Sequence, residues 1–370
     1  MESIKAYILS KEKLIFGAAA ILLLVVAPLT LSDFRLNLLG KFLAYAIVAL
    51  GIDLIWGYTG ILSLGHGVYF GLGAYSMAMY LKLEASHGKL TDFMSWSGLT
   101  ELPFFWKPFA HAWFAMGMVI ILPVTLALII GFLTFRNRIR GVYFSILSQA
   151  LAIIFVTLFI GQQPYTGGTN GLTDYKTIFG ISLASSTTQF YLYIITALIL
   201  GIVYLFCRWL TRARFGRVLM AIRDGENRVR FTGYDPAVYK LVAYAISAAL
   251  AGTAGALFVM QVGIISPAMM GIVPSIEMAI WVAVGGRGTL AGAVIGTLVV
   301  NAAKSSFSET FPDAWLYFIG FLFVGVVLLF PDGIVGVIKK LSGKMRMPNT
   351  RMGERWLYGG HNVVFGKRNR

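Results

Sequence analysis

The sequence predicts an all-α polytopic membrane protein of about ten transmembrane helices, and three observations predict it. First, 58% of the 370 residues are hydrophobic and 13% are charged, more apolar surface than a soluble core of this length needs. Second, the apolar residues come in runs of about 18 to 25, which fit helices crossing a hydrocarbon layer roughly 30 Å thick. The short alternating segments of a membrane barrel are not seen. Third, the charges are confined to a few segments. A net charge of +15 therefore reads as membrane topology rather than as a nucleic-acid-binding surface.

Ten spans are expected, at 14–31, 41–56, 58–81, 111–133, 141–160, 188–207, 237–262, 268–285, 289–304 and 315–331. The first follows a lysine-bearing start, as a signal peptide would, but it is long and no small-residue cleavage site precedes Ser32. It is read as a retained span. With both termini cytoplasmic, 24 of the 31 Lys and Arg fall in the inside segments 1–13, 136–140, 208–240, Arg287 and 332–370. That bias fixes the orientation. The chain then divides into a transmembrane domain, 1–335, with a cytosolic loop at 208–236, and a basic tail, 336–370. The simplest role of the tail is to touch anionic lipid.

The third span opens with Gly57, Gly60, Gly65, Gly67, Gly71 and Gly73. Glycine at this density weakens a helix, yet lets backbones approach and lets carbonyls face a cavity. Gly67-x-x-x-Gly71 alone is consistent with plain helix packing. Ser63 and His66 in mid-sequence favour a broken helix lining a path. A second glycine-rich stretch, Val282 to Gly296, holds Gly285, Gly286 and Gly292-x-x-x-Gly296. Two such segments in the two halves of a chain are what a pseudo-symmetric transporter shows.

Polar groups within or near the spans are Asp53, Gln149, Glu277 and Asn301. A carboxylate there faces protein or water, so Asp53 and Glu277 are candidates for the path, with capping of a broken helix or pairing with Arg287 as the structural alternatives. Outside, residues 82–110 carry Phe93, Trp96, Phe104, Phe105, Trp106 and Phe109. They read as an interfacial anchor or as a landing surface for a delivery protein. The turn-rich loop Gly161 to Thr188, with Thr166 and Asn170, is either a connector or an outer constriction.

The long charged interruption is Arg208 to Pro236. Within it Phe215, Val218, Leu219 and Ile222 recur at helical spacing, opposite Arg217, Arg223, Asp224 and Glu226. This is an amphipathic helix between two spans. It can lie on lipid, or its apolar residues can enter a partner's groove while the charges fix register at the rim. No phosphate-binding G-x-x-x-x-G-K-[ST], Ser/His/Asp set or H-E-x-x-H is present. Cys207 is the single cysteine, and His66, His87, His111 and His361 lack ligand spacing, so no catalytic residue and no metal site is expected.

Four pieces, GYTGILSLGHGVYFGLGAY (57–75), TGGTNGL (166–172), FGRVLMAIRDGENRVRFTGY (215–234) and GGRGTLAG (285–292), resemble the LivM-type permeases in order and spacing over nearly the whole chain. Those are the inner-membrane subunits of branched-chain amino acid ABC importers. The piece VNAAKSSFSETFPDAWLYFIG (300–320), with the His-Gly pair at 66–67, is more similar to the urea-importer branch. The resemblance implies import of urea, or of a related small amide or branched-chain amino acid, across a bacterial inner membrane. It also implies a second, LivH-like permease, two cytosolic ABC ATPases and a periplasmic substrate-binding protein, with no cofactor in this chain. The ATPase-facing role carries onto Phe215, Gly216, Arg217, Leu219, Ile222, Arg223, Asp224, Glu226 and Gly233. The path candidates are Asp53, Ser63, His66, Gly67, Thr166, Asn170, Glu277, Gly285 and Gly286. Gly225, where the family often has Asn or Ser, is expected to loosen the helix end. A stand-alone channel or ion-coupled transporter is the alternative.

Overall fold

The computed structural model describes residues 16–139 and 141–311, with scattered positions between 314 and 336. The expected last span, 315–331, falls largely outside the described residues, as do the lysine-bearing start and the basic tail.

Ten longer helices carry the described fold. They are α1 (Phe16–Thr30), α2 (Asp33–Thr59), α3 (His66–Ala85), α4 (Ala112–Arg136), α5 (Val142–Gly161), α6 (Ser186–Arg212), α7 (Arg214–Phe231), α8 (Pro236–Val262), α9 (Ile272–Gly285) and α10 (Leu290–Thr310). Six of them, α2, α4, α5, α6, α8 and α10, are long and apolar enough to cross a membrane, while α1 and α9 are shorter apolar helices. The chain is a mostly helical, multi-pass membrane protein.

The order of burial explains the sequence pattern. Helices α2 and α8 are largely enclosed, and α4 and α5 are the least covered of the spans. The outer helices turn Ile129, Phe132, Ile153 and Ile154 outward, as a hydrocarbon surround requires. Helix α8 lies against α2, α3 and α4 and is the hub of the bundle. Close approach of α3 to α8 depends on glycine. Gly73 faces the backbone of Gly252, and Gly255 faces the carbonyl of Phe70, with no room for a Cβ at either place.

The expected span 58–81 needs correction. Helix α2 continues to Thr59 and ends on the left-handed Gly60 (φ 78°). Residues 60–65 are irregular, and α3 begins only at His66. The reason is enclosure, because 17 of the 20 residues of α3 are buried. A helix shielded by protein needs no continuous apolar run, so hydropathy misplaces its ends.

Two groups of connections lie at opposite ends of the bundle. At one end are residues 57–62, the loop after Arg136, α7 and the turn 286–289. They are linked by Ser145 to the Leu62 carbonyl and by Arg223 to the Gly57 carbonyl. At the other end are short helices at Asp92–Trp96, Lys107–Ala110 and Gln163–Thr166. Two antiparallel ribbons join them: β1 (Leu172–Thr173) with β4 (Ile264–Ile265), and β2 (Thr177–Ile178) with β3 (Ile181–Ser182). Trp106 Nε1 donates to the Tyr165 carbonyl there, and the Glu84 carboxylate accepts from Phe179 and Gly180 N–H.

Candidate functional site

Within the broken segment 60–65 the Leu62 carbonyl and the Leu64 N–H have no helical partner, and inside a membrane those groups must be satisfied by protein. Helix α5 supplies them. Ser145 Oγ donates to the Leu62 carbonyl at 2.7 Å, and Ser148 Oγ accepts from Leu64 N–H at 2.9 Å. The break is thus a built feature. It delivers His66 and Gly67 to the start of α3, where two other polar groups meet them. His66 Nε2 and Ser247 Oγ share a hydrogen bond of 2.7 Å, and Gly67 N–H donates to Ser275 Oγ at 3.0 Å. One turn on, the hydroxyls of Tyr69 and Tyr244 are 2.5 Å apart.

His66, Ser247 and Ser275 are buried, and Ser247 lies near the middle of the 27-residue α8. The beginnings of α3 and α9 therefore meet half-way through the bundle. Among the described residues no three His, Cys, Asp or Glu converge on one point. What the cluster offers is hydroxyls, one imidazole and backbone groups, without a formal charge.

The second assembly sits at the α7 end. Asp53, fully buried on α2, accepts from Gly288 N–H at 2.5 Å. Four residues on, the Gly57 carbonyl accepts from Arg223 Nη1 at 2.7 Å. A Cβ on Gly57 would stand 2.5 Å from Asp53 Oδ1 and from Gly288 N. The other carboxylate oxygen of Asp53 is buried with no partner among the described residues. The guanidinium of α7 thus closes the end of α2 and lies beside the α9–α10 turn, where Gly286 (φ 113°) and Gly288 (φ 76°) adopt conformations open to glycine. This is a three-way junction between the charged loop, α2 and α9–α10.

Helix α7 itself differs from expectation. Leu219 and Ile222 are buried within this chain, and Leu219 joins Leu54, Leu210 and Ala243 with Phe215 packed at the edge. Gly216 is pressed against the Thr211 backbone. The apolar face is therefore consumed by the chain's own spans and is not the face offered to a partner's groove. Burial of the stripe against α2, α6 and α8 removes more apolar area from water than a solvated helix would, which is why it turns inward. Glu226 is likewise no rim charge. It accepts from Arg230 at 3.1 Å and from Lys240 at 2.6 Å. The outward side includes Arg217, the exposed Arg223–Asp224 pair, Arg228 and Phe231. The backbone leaves helical geometry at Gly225, and Gly233 (φ 87°) turns the chain towards α8.

The Glu226–Lys240 contact pins the far half of α7 to α8, with the lysine side chain only 6% exposed. Lys240→Ala is expected to destabilise the assembled protein by about 3 kcal/mol. The check is the denaturation midpoint of the purified chain, which should fall relative to wild type.

The remaining named residues separate. Ser63, His66 and Gly67 belong to the central cluster, and Gly285 packs on Gly292 at the junction. Thr166 caps its own turn by donating to the Phe159 and Gln162 carbonyls. Asn170 lines an outer recess with Lys82 and Asp92, far from the cluster. Glu277 pairs with Lys304 at 2.8 Å rather than with Arg287, whose guanidinium lies over the Trp56 ring. Proximity decides this. Arg287 belongs to the turn beyond α9, whereas Lys304 on the neighbouring α10 reaches Glu277 directly. Ser145, Ser148, Ser247, Ser275 and Tyr244 have no motif to announce them. Their one signal is a hydroxyl inside an apolar run.

Comparison with known proteins agrees with this architecture. Residues 34–327 match the family described as branched-chain amino acid transport system / permease component. The LivM high-affinity branched-chain amino acid permease of Escherichia coli K12 is 25% identical over 347 residues, covering 88% of this chain and 75% of the relative. The BraD permease of Pseudomonas aeruginosa is 25% identical over 300 residues, covering 79% and 91%. The LivH permease of E. coli K12 is 24% identical over 304 residues, again covering 79% and 91%. No solved structure matches. With most of its length matched, and with the apolar multi-span bundle the match requires, the chain belongs to the permease-component family of branched-chain amino acid transport systems.

Proposed function

We propose that this chain is the membrane-pathway subunit of an ATP-binding-cassette importer in a bacterial inner membrane. It moves urea, or a related small amide or branched-chain amino acid, inward. A separate ATPase drives it by gripping the outward face of α7. The observation that carries this reading is the junction at Arg223. A force on α7 reaches the end of α2 through the 2.7 Å bond to Gly57 and is felt at Gly288 through Asp53. Rigid elements joined through two discrete contacts can change arrangement together. The outward Arg217, Asp224 and Phe231 are the groups a motor would hold.

Both LivM-like and LivH-like relatives support a pair of related permeases, with two ATPases and a periplasmic binding protein completing the importer. The basic bias of the α7 end supports its cytoplasmic placement. The central cluster favours a small neutral solute. Hydroxyls, an imidazole and backbone groups give donors and acceptors without a fixed charge, whereas an amino acid would want partners for both its termini. The test is uptake of labelled urea and labelled leucine in cells with and without this chain. Loss of urea uptake alone supports the assignment. Loss of leucine uptake alone assigns the chain to amino acids.

A further inference from the structure

At the α7 end of the bundle, a recess of about 380 Å³ opens between α4 and α8. We propose that it binds the phosphate headgroup of an anionic phospholipid, with the acyl chain lying in the groove between the two helices. Three guanidiniums converge there, from Arg136, Arg138 and Arg230, and one carboxylate, Asp235.

Each arrives for a local reason. Arg136, in the last turn of α4, lies over the Phe132 ring at 5.7 Å. That contact holds its charge where the apolar span ends. Arg138 follows in a left-handed turn (φ 59°). Both are exposed, and neither forms an ion pair among the described residues. Arg230 donates through Nη2 to Glu226, but its Nε is buried without a partner. The Arg230 side chain is 26% exposed and lines the recess. Asp235 is already engaged in capping α8 through Ala237 N–H at 2.9 Å. Arg136 and Arg138 have no carboxylate partner among the described residues, Arg230 shares Glu226, and Asp235 is occupied by its cap, so the surplus of planar cations favours a phosphate.

The apolar side of the site selects lipid over free phosphate. Phe132 and Val238, which line the recess at the ends of α4 and α8, are 52% and 53% exposed, and Phe135 and Leu241 line it beside them. A soluble anion gains nothing from that surface. A phospholipid gains burial of its chain. Because Arg230 belongs to α7, a bound headgroup would tie that helix to α4 and α8, next to the junction at Arg223. The site does not depend on which solute is carried.

The test measures phosphatidylglycerol and phosphatidylcholine retained by the purified full-length protein after exhaustive detergent washing, by mass spectrometry. Wild type is expected to retain phosphatidylglycerol selectively. Arg136→Gln with Arg138→Gln should lower that retention by about fivefold per arginine removed. Should the double variant fail to accumulate, Arg138→Gln alone reads the same quantity from an exposed position. Equal retention of the two lipids, or equal retention by wild type and variants, overturns the proposal. So does complete displacement of the lipid by millimolar glycerol phosphate, which would assign the recess to a soluble anion.

Discussion

Arg223→Glu is expected to lower ATP-driven uptake by about a hundredfold while leaving the chain in the membrane and its ATPase bound. The substitution removes the 2.7 Å donor to the Gly57 carbonyl. A hydrogen bond from a charged group is worth about 1.5–3 kcal/mol. It also sets a second carboxylate beside Asp53, whose free oxygen is already buried without a partner. Together these exceed the roughly 2.7 kcal/mol that corresponds to two decades. Asp224→Arg should behave differently. Its carboxylate is 61% exposed and its recorded partner is the neighbouring Arg223, a pair worth about 1 kcal/mol or less to the fold. Reversing it should leave stability unchanged and release the ATPase. Co-purification of the ATPase, measured beside uptake, separates the two. If Arg223→Glu transports normally, α7 does not act through α2.

Gly67→Leu should abolish both uptake and stable assembly. A Cβ at this position would already stand 2.8 Å from Ser275 Oγ and 2.9 Å from the Met269 carbonyl. A side chain there must push α9 away from α3 and break the Gly67–Ser275 bond. Overpacking of this kind costs about 1–3 kcal/mol even for single methylenes, and leucine adds several. The comparison is Gly201→Leu on α6, where a Cβ meets nothing within 4 Å. That variant should accumulate and transport as wild type. The readouts are the amount of chain recovered from membranes and solute uptake per unit of chain. Normal uptake by Gly67→Leu would remove the close α3–α9 contact from the account.

Legibility of the sequence followed the physics of enclosure. Helices that meet lipid, such as α4 and α5, must be apolar along their exposed faces, so their runs locate them within a few residues. Helix α3 is hidden, and its glycines, tyrosines and His66 blur the run. The expected start at residue 58 therefore falls eight residues before the observed one at His66. Amphipathic spacing identified α7 correctly but not which way its apolar face turns. Leu219 against Leu54 is a contact between residues 165 positions apart in the chain, and no local pattern carries that. Asp53 stood out as a carboxylate inside a span. Its partner Gly288 did not, because a backbone N–H leaves no trace in residue type. Ser247 and Ser275 leave no trace for a similar reason, since a hydroxyl in a helix usually bonds its own preceding turn.

Solute accumulation in sealed vesicles tests most directly whether motion enters through α7. Vesicles holding this chain with its second permease, its ATPases and the binding protein should concentrate labelled urea only when ATP is supplied. Vesicles holding this chain alone should neither concentrate nor pass it. Sustained urea flux through the lone chain, with or without ATP, would contradict the account.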